Sequence, residues 1–333
     1  MKHNLKVTLI LVVVFLISQI MGLAIISQYV DKRVVGDDGV EKTLYKELPM
    51  NIERPQIDAS KSYIYIIGAV IVGTVLALVL IRFRSIRVWK TWFFLSVLLC
   101  LTIALKPFIG RFVTWLLPVM SLKLVLGFRG TDLFVLLIAG ILAAFKIFRP
   151  SVYMSNITEI FIYGGLSAIF VPIIDLKSAF ILLVVISAYD MVAVWWSKHM
   201  VKLATFQRDS KVFAGLTIPY SKVSVTKPAA TMKIRAVKKG KKKVPAPKRE
   251  IVETRTERTA ILGGGDIGFP MFFAGVVLNS APFPHFFVVM LIPLCVAAAL
   301  FLLLTFGKQD RFYPAMPFLT AGCIVGYLLT MLF

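Results

Sequence analysis

Ten apolar windows dominate the sequence, and most of them are close to the length of about 20 residues that a helix needs to cross a bilayer. Hydrophobic residues make up 58% of the 333 residues and charged residues 17%, whereas soluble domains have about 45–50% and about 25%. This composition excludes a disordered chain, and three Cys residues are too few for a secreted disulfide scaffold. We therefore predict an all-α polytopic membrane protein. The windows are 7–28, 63–82, 91–105, 108–128, 131–148, 157–174, 178–196, 261–279, 285–306 and 313–332.

The basic residues between the windows predict the topology, because short loops rich in Lys and Arg stay in the cytoplasm. The first window is too long for the apolar part of a signal peptide, so we retain it as a span. The basic residues fall on one side only if the segment 91–148 crosses an even number of times. Its window 108–128 contains Arg111, Pro118 and Lys123, which favours a broken or interfacial segment. The sequence thus predicts nine transmembrane helices with the N-terminus in the cytoplasm.

The stretch 197–259 is the main source of the formal net charge of +21, since it holds 17 of the 38 basic residues. Its composition is typical of a flexible, solvated loop. We predict that it is cytoplasmic and contacts anionic lipid. Nucleic-acid binding is not expected, because no interleaved aromatic residues accompany the charge. The loop divides the chain into residues 1–196 with six helices and residues 260–333 with three.

Two acids lie where an apolar window should hold none. Asp190 is the only charged residue of the window 178–196, and Asp266 is the only one between 260 and 284. Each is eight residues from a basic residue of the loop, Lys198 or Arg258, so both lie about 12 Å from the same membrane face. Two close carboxylates in a low dielectric share a proton, so one can activate water while the other protonates. A proton relay or a cation site in a transporter or channel is the open alternative.

The residues around these acids weaken helical structure. Gly263, Gly264 and Gly265 precede Asp266, and glycine destabilises a helix by about 1 kcal/mol relative to alanine. Pro270 removes the hydrogen bond to the Asp266 carbonyl. Irregular backbone with free polar groups at membrane depth is tolerated where it faces protein or a water-filled cavity. The last window also begins irregularly, with the sequence Tyr-Pro-Ala-Met-Pro at residues 313–317.

Other sites have little support in the sequence. The three His residues lack the spacing of metal ligands, so we predict no metal and no cofactor. Asn156-Ile157-Thr158 matches a glycosylation acceptor but falls on the predicted cytoplasmic side. Asp132 and Glu159 lie near the ends of spans, where we expect capping or snorkelling roles.

Three motifs together resemble those of the presenilin/signal-peptide-peptidase family of intramembrane aspartyl proteases. Tyr189-Asp190 is similar to the family's Tyr-Asp motif, residues 263–266 to its Gly-x-Gly-Asp motif, and Pro314-Ala315-Met316 to its Pro-Ala-Leu motif. The order, spacing and depth agree with that family. The resemblance implies a presenilin-like, nine-helix fold in a microbial, stand-alone homologue. The inferred orientation, with the large loop inside, is the presenilin-like one.

The resemblance also implies a role for each matching residue. Asp190 and Asp266 would form the catalytic dyad, Gly263 and Gly265 would be the motif glycines, and Tyr189 would orient the site. Pro314, Ala315 and Met316 would shape the substrate cleft. Two departures are Met316 in place of leucine and Gly264 at the variable position, where a third glycine should loosen the segment further.

The resemblance favours an intramembrane endopeptidase that hydrolyses peptide bonds within transmembrane helices of single-span proteins. It implies no cofactor and no obligatory accessory subunit, and it places the chain in the cell membrane of a prokaryote. The alternative remains an ion- or proton-coupled transporter or channel that uses the same acids. A transporter would favour internal repeats with paired broken helices, and the sequence has no such symmetry.

Overall fold

The computed structural model of the protein describes ten stretches of the chain. Most of the loop 197–259, including its Lys-rich centre, and part of the window 108–128 lie outside the described residues. The described residues are 5–35, 41–83, 85–117, 123–125, 128–196, 206–207, 213–225, 253–280, 285–307 and 313–332.

Nine helical segments account for most of the described residues, in agreement with the predicted number. Seven of them are long and apolar enough to cross a membrane, and the two that begin at Gly264 and Met316 have 16 and 15 residues. The segments are α1 (Leu5–Tyr29), α2 (Ser62–Arg82), α3 (Ile86–Leu105) with its extension α4 (Arg111–Leu116), α5 (Gly130–Phe148), α6 (Val152–Phe170), α7 (Leu176–Met191), α8 (Gly264–Asn279), α9 (Phe286–Val289) with α10 (Leu291–Phe306), and α11 (Met316–Thr330).

The windows 91–105 and 108–128 do not form two spans. A π-helical turn at Lys106–Gly110 joins α3 to α4, so one continuous helix runs to Leu116. Pro107 has no N–H and leaves the Ile103 carbonyl without its helical partner. The Tyr29 hydroxyl donates a hydrogen bond to that carbonyl at 2.6 Å, which satisfies the freed group inside the bundle.

The prediction of an all-α fold needs correction, because three antiparallel strand pairs accompany the helices. The third pair lies in and next to the loop that the sequence predicts to be flexible. Its register runs from Gly215↔Gly263 to Val225↔Glu253, and its second strand leads directly into α8. The strands are β1 (Val30–Val35) with β2 (Glu41–Tyr45), β3 (Lys123–Val125) with β4 (Phe128–Arg129), and β5 (Gly215–Val225) with β6 (Glu253–Gly263).

The helix α1 packs against three other helices, α6, α8 and α10. Its side chains Phe15 and Leu23 are fully buried, and so is the polar side chain of Gln19. Small residues let neighbouring helices approach closely. At Gly165 of α6, an added Cβ would overlap the Cys100 carbonyl of α3. The helix α6 is therefore held closely against α3 as well as against α1.

The expectation that Asp132 and Glu159 cap or snorkel at span ends is wrong. Glu159 is 1% exposed and forms an ion pair with Lys146 of α5, which is 3% exposed. Asp132 is buried as well and pairs with Lys106. Each acid has a cation within reach because helix packing brings a Lys from a neighbouring segment against it, and this pairing offsets part of the cost of burying charge.

Candidate active site

Asp190 and Asp266 line one cavity with a volume of about 540 Å³. Asp190 lies in the last turn of α7, and Asp266 lies in the first turn of α8, which packs against α7. The helix packing thus brings together the two acids that the sequence placed at matched depth. The cavity wall is largely apolar, and its apolar side chains include Leu166, Val194, Phe213, Ala214, Ile261, Phe269 and Phe272.

Asp190 is 4% exposed, and its carboxylate is held by the start of α11. The backbone N–H of Met316, the first residue of α11, donates a hydrogen bond to Oδ2 of Asp190 at 3.1 Å. The first N–H groups of a helix have no partner within the helix and favour a nearby anion. The Pro-Ala-Met segment therefore provides a hydrogen-bond donor to one of the two acids through its backbone.

Asp266 lies one turn beyond the end of strand β6. Gly263 is extended, with φ −66° and ψ 150°, and α8 begins at Gly264. The Gly264 N–H donates to the Ala214 carbonyl at 3.2 Å, which ties the start of α8 to the start of β5. From α1, Gln19 donates to the Ile267 carbonyl at 2.8 Å. The three glycines thus lie at a strand-to-helix junction directly before the acid, since Gly263 ends β6 while Gly264 and Gly265 begin α8.

Gly264 is closely packed, which the sequence did not indicate. A Cβ added at this position would overlap the Tyr163 hydroxyl and lie 3.1 Å from two of its ring carbons. Tyr163 is 6% exposed. This side chain lines the same cavity as Asp266. Gly264 is therefore a close-packing position, where a side chain would meet Tyr163.

We expect Gly264→Ala to lower the free energy of unfolding by about 1–3 kcal/mol, because overpacking a filled site costs that much. Cleavage activity should fall with it, since the junction that carries Asp266 must shift. Tyr163→Phe removes the overlapping oxygen, so the double variant Gly264→Ala/Tyr163→Phe should regain stability. The measurement is denaturant unfolding of the purified variants in detergent.

Gly265→Ala is the matched control for this substitution. It adds the same methyl group one residue later, where the nearest atoms are Phe269 ring carbons at 3.7 Å and 3.8 Å, an ordinary contact distance. Its stability should stay close to that of the unmodified protein. Equal stability of the Gly264 and Gly265 variants would show that the contact with Tyr163 does not constrain the junction.

Asn156 of α6 covers the outer edge of strand β5. Its side-chain N–H donates to the Thr217 carbonyl at 2.8 Å, and its Oδ1 accepts from the Thr217 N–H at 3.0 Å. Both backbone groups of Thr217 therefore point away from β6. In an antiparallel pair, the opposite residue then points its own groups outward at the other edge. That residue is Ile261, whose side chain lines the cavity.

The other sequence-predicted residues lie in different places. Gly263, Gly265 and Ala315 line the cavity with the two acids. Pro314 is buried but is not part of the cavity wall. Tyr189 is also absent from the wall, and its hydroxyl shares a hydrogen bond of 3.0 Å with the Thr74 hydroxyl of α2. Tyr189 thus connects the helix that carries Asp190 to α2.

Sequence reasoning missed Gln19, Tyr163 and Asn156. Gln19 left a signal, because it is a polar side chain in the middle of an apolar window. Tyr163 left none, since a tyrosine in a span is commonplace. Asn156 was noted only as part of a glycosylation pattern. In the described ranges, no group of three or more His, Cys, Asp or Glu side chains could hold a metal ion.

Comparisons with known proteins bear on both sequence and fold. Residues 40–333 match the profile of the family described as signal-peptide peptidase, presenilin aspartyl protease. No curated protein matches the sequence.

Two similar solved structures are each described as a presenilin family intramembrane aspartate protease, one in space group C222 and one in P2. The first has 16% identity and a TM-score of 0.57, with 98% of each chain covered. The second has 16% identity and a TM-score of 0.56, with 97% of this chain and 96% of that chain covered. At such low identity, these matches establish the presenilin-like fold.

The family match covers most of the chain and agrees with the three motifs and with the fold. It confirms the family that the motifs predicted, and it does not favour the transporter alternative. The chain belongs to the signal-peptide peptidase and presenilin family of aspartyl proteases, and it is an intramembrane aspartic endopeptidase.

Proposed function

We propose that Asp190 and Asp266 are the catalytic dyad and that they hydrolyse peptide bonds within transmembrane helices of single-span proteins. The observation that carries this proposal is that both carboxylates line one largely apolar cavity. Two carboxylates that approach each other in a low dielectric cannot both ionise, so in the proposed mechanism the pair holds one proton between them.

The shared proton gives the two carboxylates different roles in hydrolysis. The ionised member takes a proton from water, and the water oxygen attacks the scissile carbonyl carbon. The protonated member donates to the carbonyl oxygen, which yields a tetrahedral diol. Transfer of a proton to the amide nitrogen then allows the C–N bond to break, which releases a carboxyl and an amine product. The reaction needs no metal and no organic cofactor.

Among the described residues β6 pairs only with β5, and its other edge supports binding of the substrate as an extended strand. The outward backbone groups of Ile261 lie at the cavity wall, five residues before Asp266. Asn156 covers the opposite edge of the strand pair at Thr217. An unwound substrate segment can thus pair with β6 beside the dyad, in the manner of strand addition. The Pro-Ala-Met segment and the three glycines would shape the rest of the cleft.

We further propose that all nine helical segments cross the membrane. The helix α8 has 16 residues and α11 has 15, which correspond to about 24 Å and about 22 Å. Both begin at the level of the dyad, where β6 and residues 313–315 extend the chain towards the loop side. The N-terminus and the loop 197–259 are cytoplasmic, in the cell membrane of a prokaryote, and the basic loop contacts anionic lipid.

The test is to incubate the purified protein in detergent with a labelled single-span peptide and an inhibitor that mimics the tetrahedral diol. We expect cleavage without any added subunit and saturable inhibition. Absence of cleavage, combined with ion flux into proteoliposomes that depends on both acids, would overturn the proposal and favour the transporter.

A further inference from the structure

Apolar packing alone does not define how the β5–β6 ribbon, residues 215–225 and 253–263, is aligned along the bundle. Leu216, Ala260 and Leu262 bury their side chains in the core that the helices share. Side chains alternate with a period of two along a strand. A shift of the ribbon by two residues therefore returns a side chain to the same face, although it moves the strand by about 6–7 Å.

The two hydrogen bonds of Asn156 distinguish between these alignments. Thr217 offers both an N–H and a carbonyl to the side-chain amide. The next β5 residue whose backbone groups point outward is Pro219, because outward groups recur every second residue. Proline has no N–H, so Asn156 could form only one of its two bonds after a shift that brings Pro219 opposite. The asparagine amide therefore favours the observed alignment over a shift that brings Pro219 opposite Asn156.

The position of β5 determines the position of β6 and of the start of α8, which carries Asp266. Thr217 pairs with Ile261 and Gly215 pairs with Gly263, the residue before α8. The Gly264 N–H is bonded to Ala214, next to the start of β5. The edge of β6 that would bind substrate is thus placed relative to Asp266 through the same strand that Asn156 holds.

We propose that Asn156 is a positioning residue that fixes the alignment of the ribbon along the bundle. It thereby determines which peptide bond of a substrate reaches the dyad. This inference rests on the proposed function. Asn156 does not line the cavity and acts through the ribbon. A change at this residue should therefore alter the position of cleavage and the binding of substrate more than the rate of the chemical step.

The experiment compares the cleavage positions of one single-span peptide by mass spectrometry, with active enzyme counted by titration with the diol-mimicking inhibitor. Asn156→Leu removes both hydrogen bonds at similar volume, and Asn156→Asp keeps only the acceptor. We expect new products displaced by two residues and a KM about tenfold higher for the leucine variant, which corresponds to the loss of two ordinary hydrogen bonds. The aspartate variant should show a smaller displacement of the same kind.

Thr158→Val is the matched control, because within the described ranges the Thr158 hydroxyl on the same helix bonds only to the α6 carbonyls of Met154 and Ser155. It should leave the products and KM unchanged. Unaltered cleavage positions and KM in both Asn156 variants would overturn the inference while leaving the proposed function intact. Loss of inhibitor binding in both variants would also overturn it, by making Asn156 a requirement for folding. Failure of the unmodified protein to cleave would instead contradict the proposed function.

Discussion

Replacing either Asp190 or Asp266 by asparagine should lower the cleavage rate by about a thousandfold or more, because each carboxylate depends on the other for its proton. Asparagine preserves the size of the side chain but can neither share nor transfer that proton. Groups that act as a unit are strongly non-additive, so the double variant Asp190→Asn/Asp266→Asn should be no slower than either single variant. The measurement is the initial rate on a labelled single-span peptide at saturating concentration.

Asp58→Asn serves as the control for loss of a carboxylate. Asp58 is exposed, and among the described residues its side chain accepts hydrogen bonds only from Ser60. Asparagine caps a helical turn as well as aspartate does. Its activity should match that of the unmodified protein. A single-site variant at Asp190 or Asp266 that keeps full activity would exclude that residue from the dyad. Rates that multiply in the double variant would mean that the two acids act independently.

The spans and both acids can be predicted from sequence because each leaves a strong local signal. An apolar run of about 20 residues has few alternatives to a membrane helix, and an acid inside such a run is costly enough to indicate function. The helical rise of 1.5 Å per residue also predicts that Asp190 and Asp266 lie at the same depth in the membrane. The cavity that contains both acids follows from this depth together with the packing of α7 against α8.

The β5–β6 ribbon could not be predicted in the same way. Its strands, Gly215–Val225 and Glu253–Gly263, pair across a long intervening stretch, and the dominant local signal there is positive charge. Pro219 also argues against a central strand. The structure resolves this conflict because the outward side of β5 is bonded to a side chain of α6 at Thr217 and needs no third strand there.

The contacts of Gly264 and Asn156 lie beyond sequence reasoning for a different reason. Each depends on which residue of a distant helix lies opposite, and no local pattern carries that information. The motif resemblance treats residue 264 as variable, whereas in this chain the Tyr163 hydroxyl occupies the space that a Cβ would need. The same holds for the buried pairing of Glu159 with Lys146, which the position of Glu159 near a span end did not suggest.

Lys146→Met should destabilise the protein by about 3–5 kcal/mol, because it leaves the Glu159 carboxylate buried without its cation. The two side chains are only 2% and 1% exposed, so water cannot replace the lost partner. Glu159→Met should be comparably destabilising, since it leaves the Lys146 ammonium group buried without its anion. The double variant Lys146→Met/Glu159→Met should recover most of the loss, because replacing a whole buried pair by apolar side chains of similar volume is often neutral.

The measurement is a double-mutant cycle of unfolding free energies in detergent, with Lys177→Met as the control. Lys177 is exposed at the start of α7, and its loss should change stability by less than about 0.5 kcal/mol. Additive effects of the two buried substitutions would contradict the pairing. Strong coupling, with the double variant close in stability to the unmodified protein, would confirm the pairing and show that the pair adds little net stability. Lys146 also donates to Ser155, next to Asn156, so the pair fixes against α5 the same part of α6 that holds the ribbon.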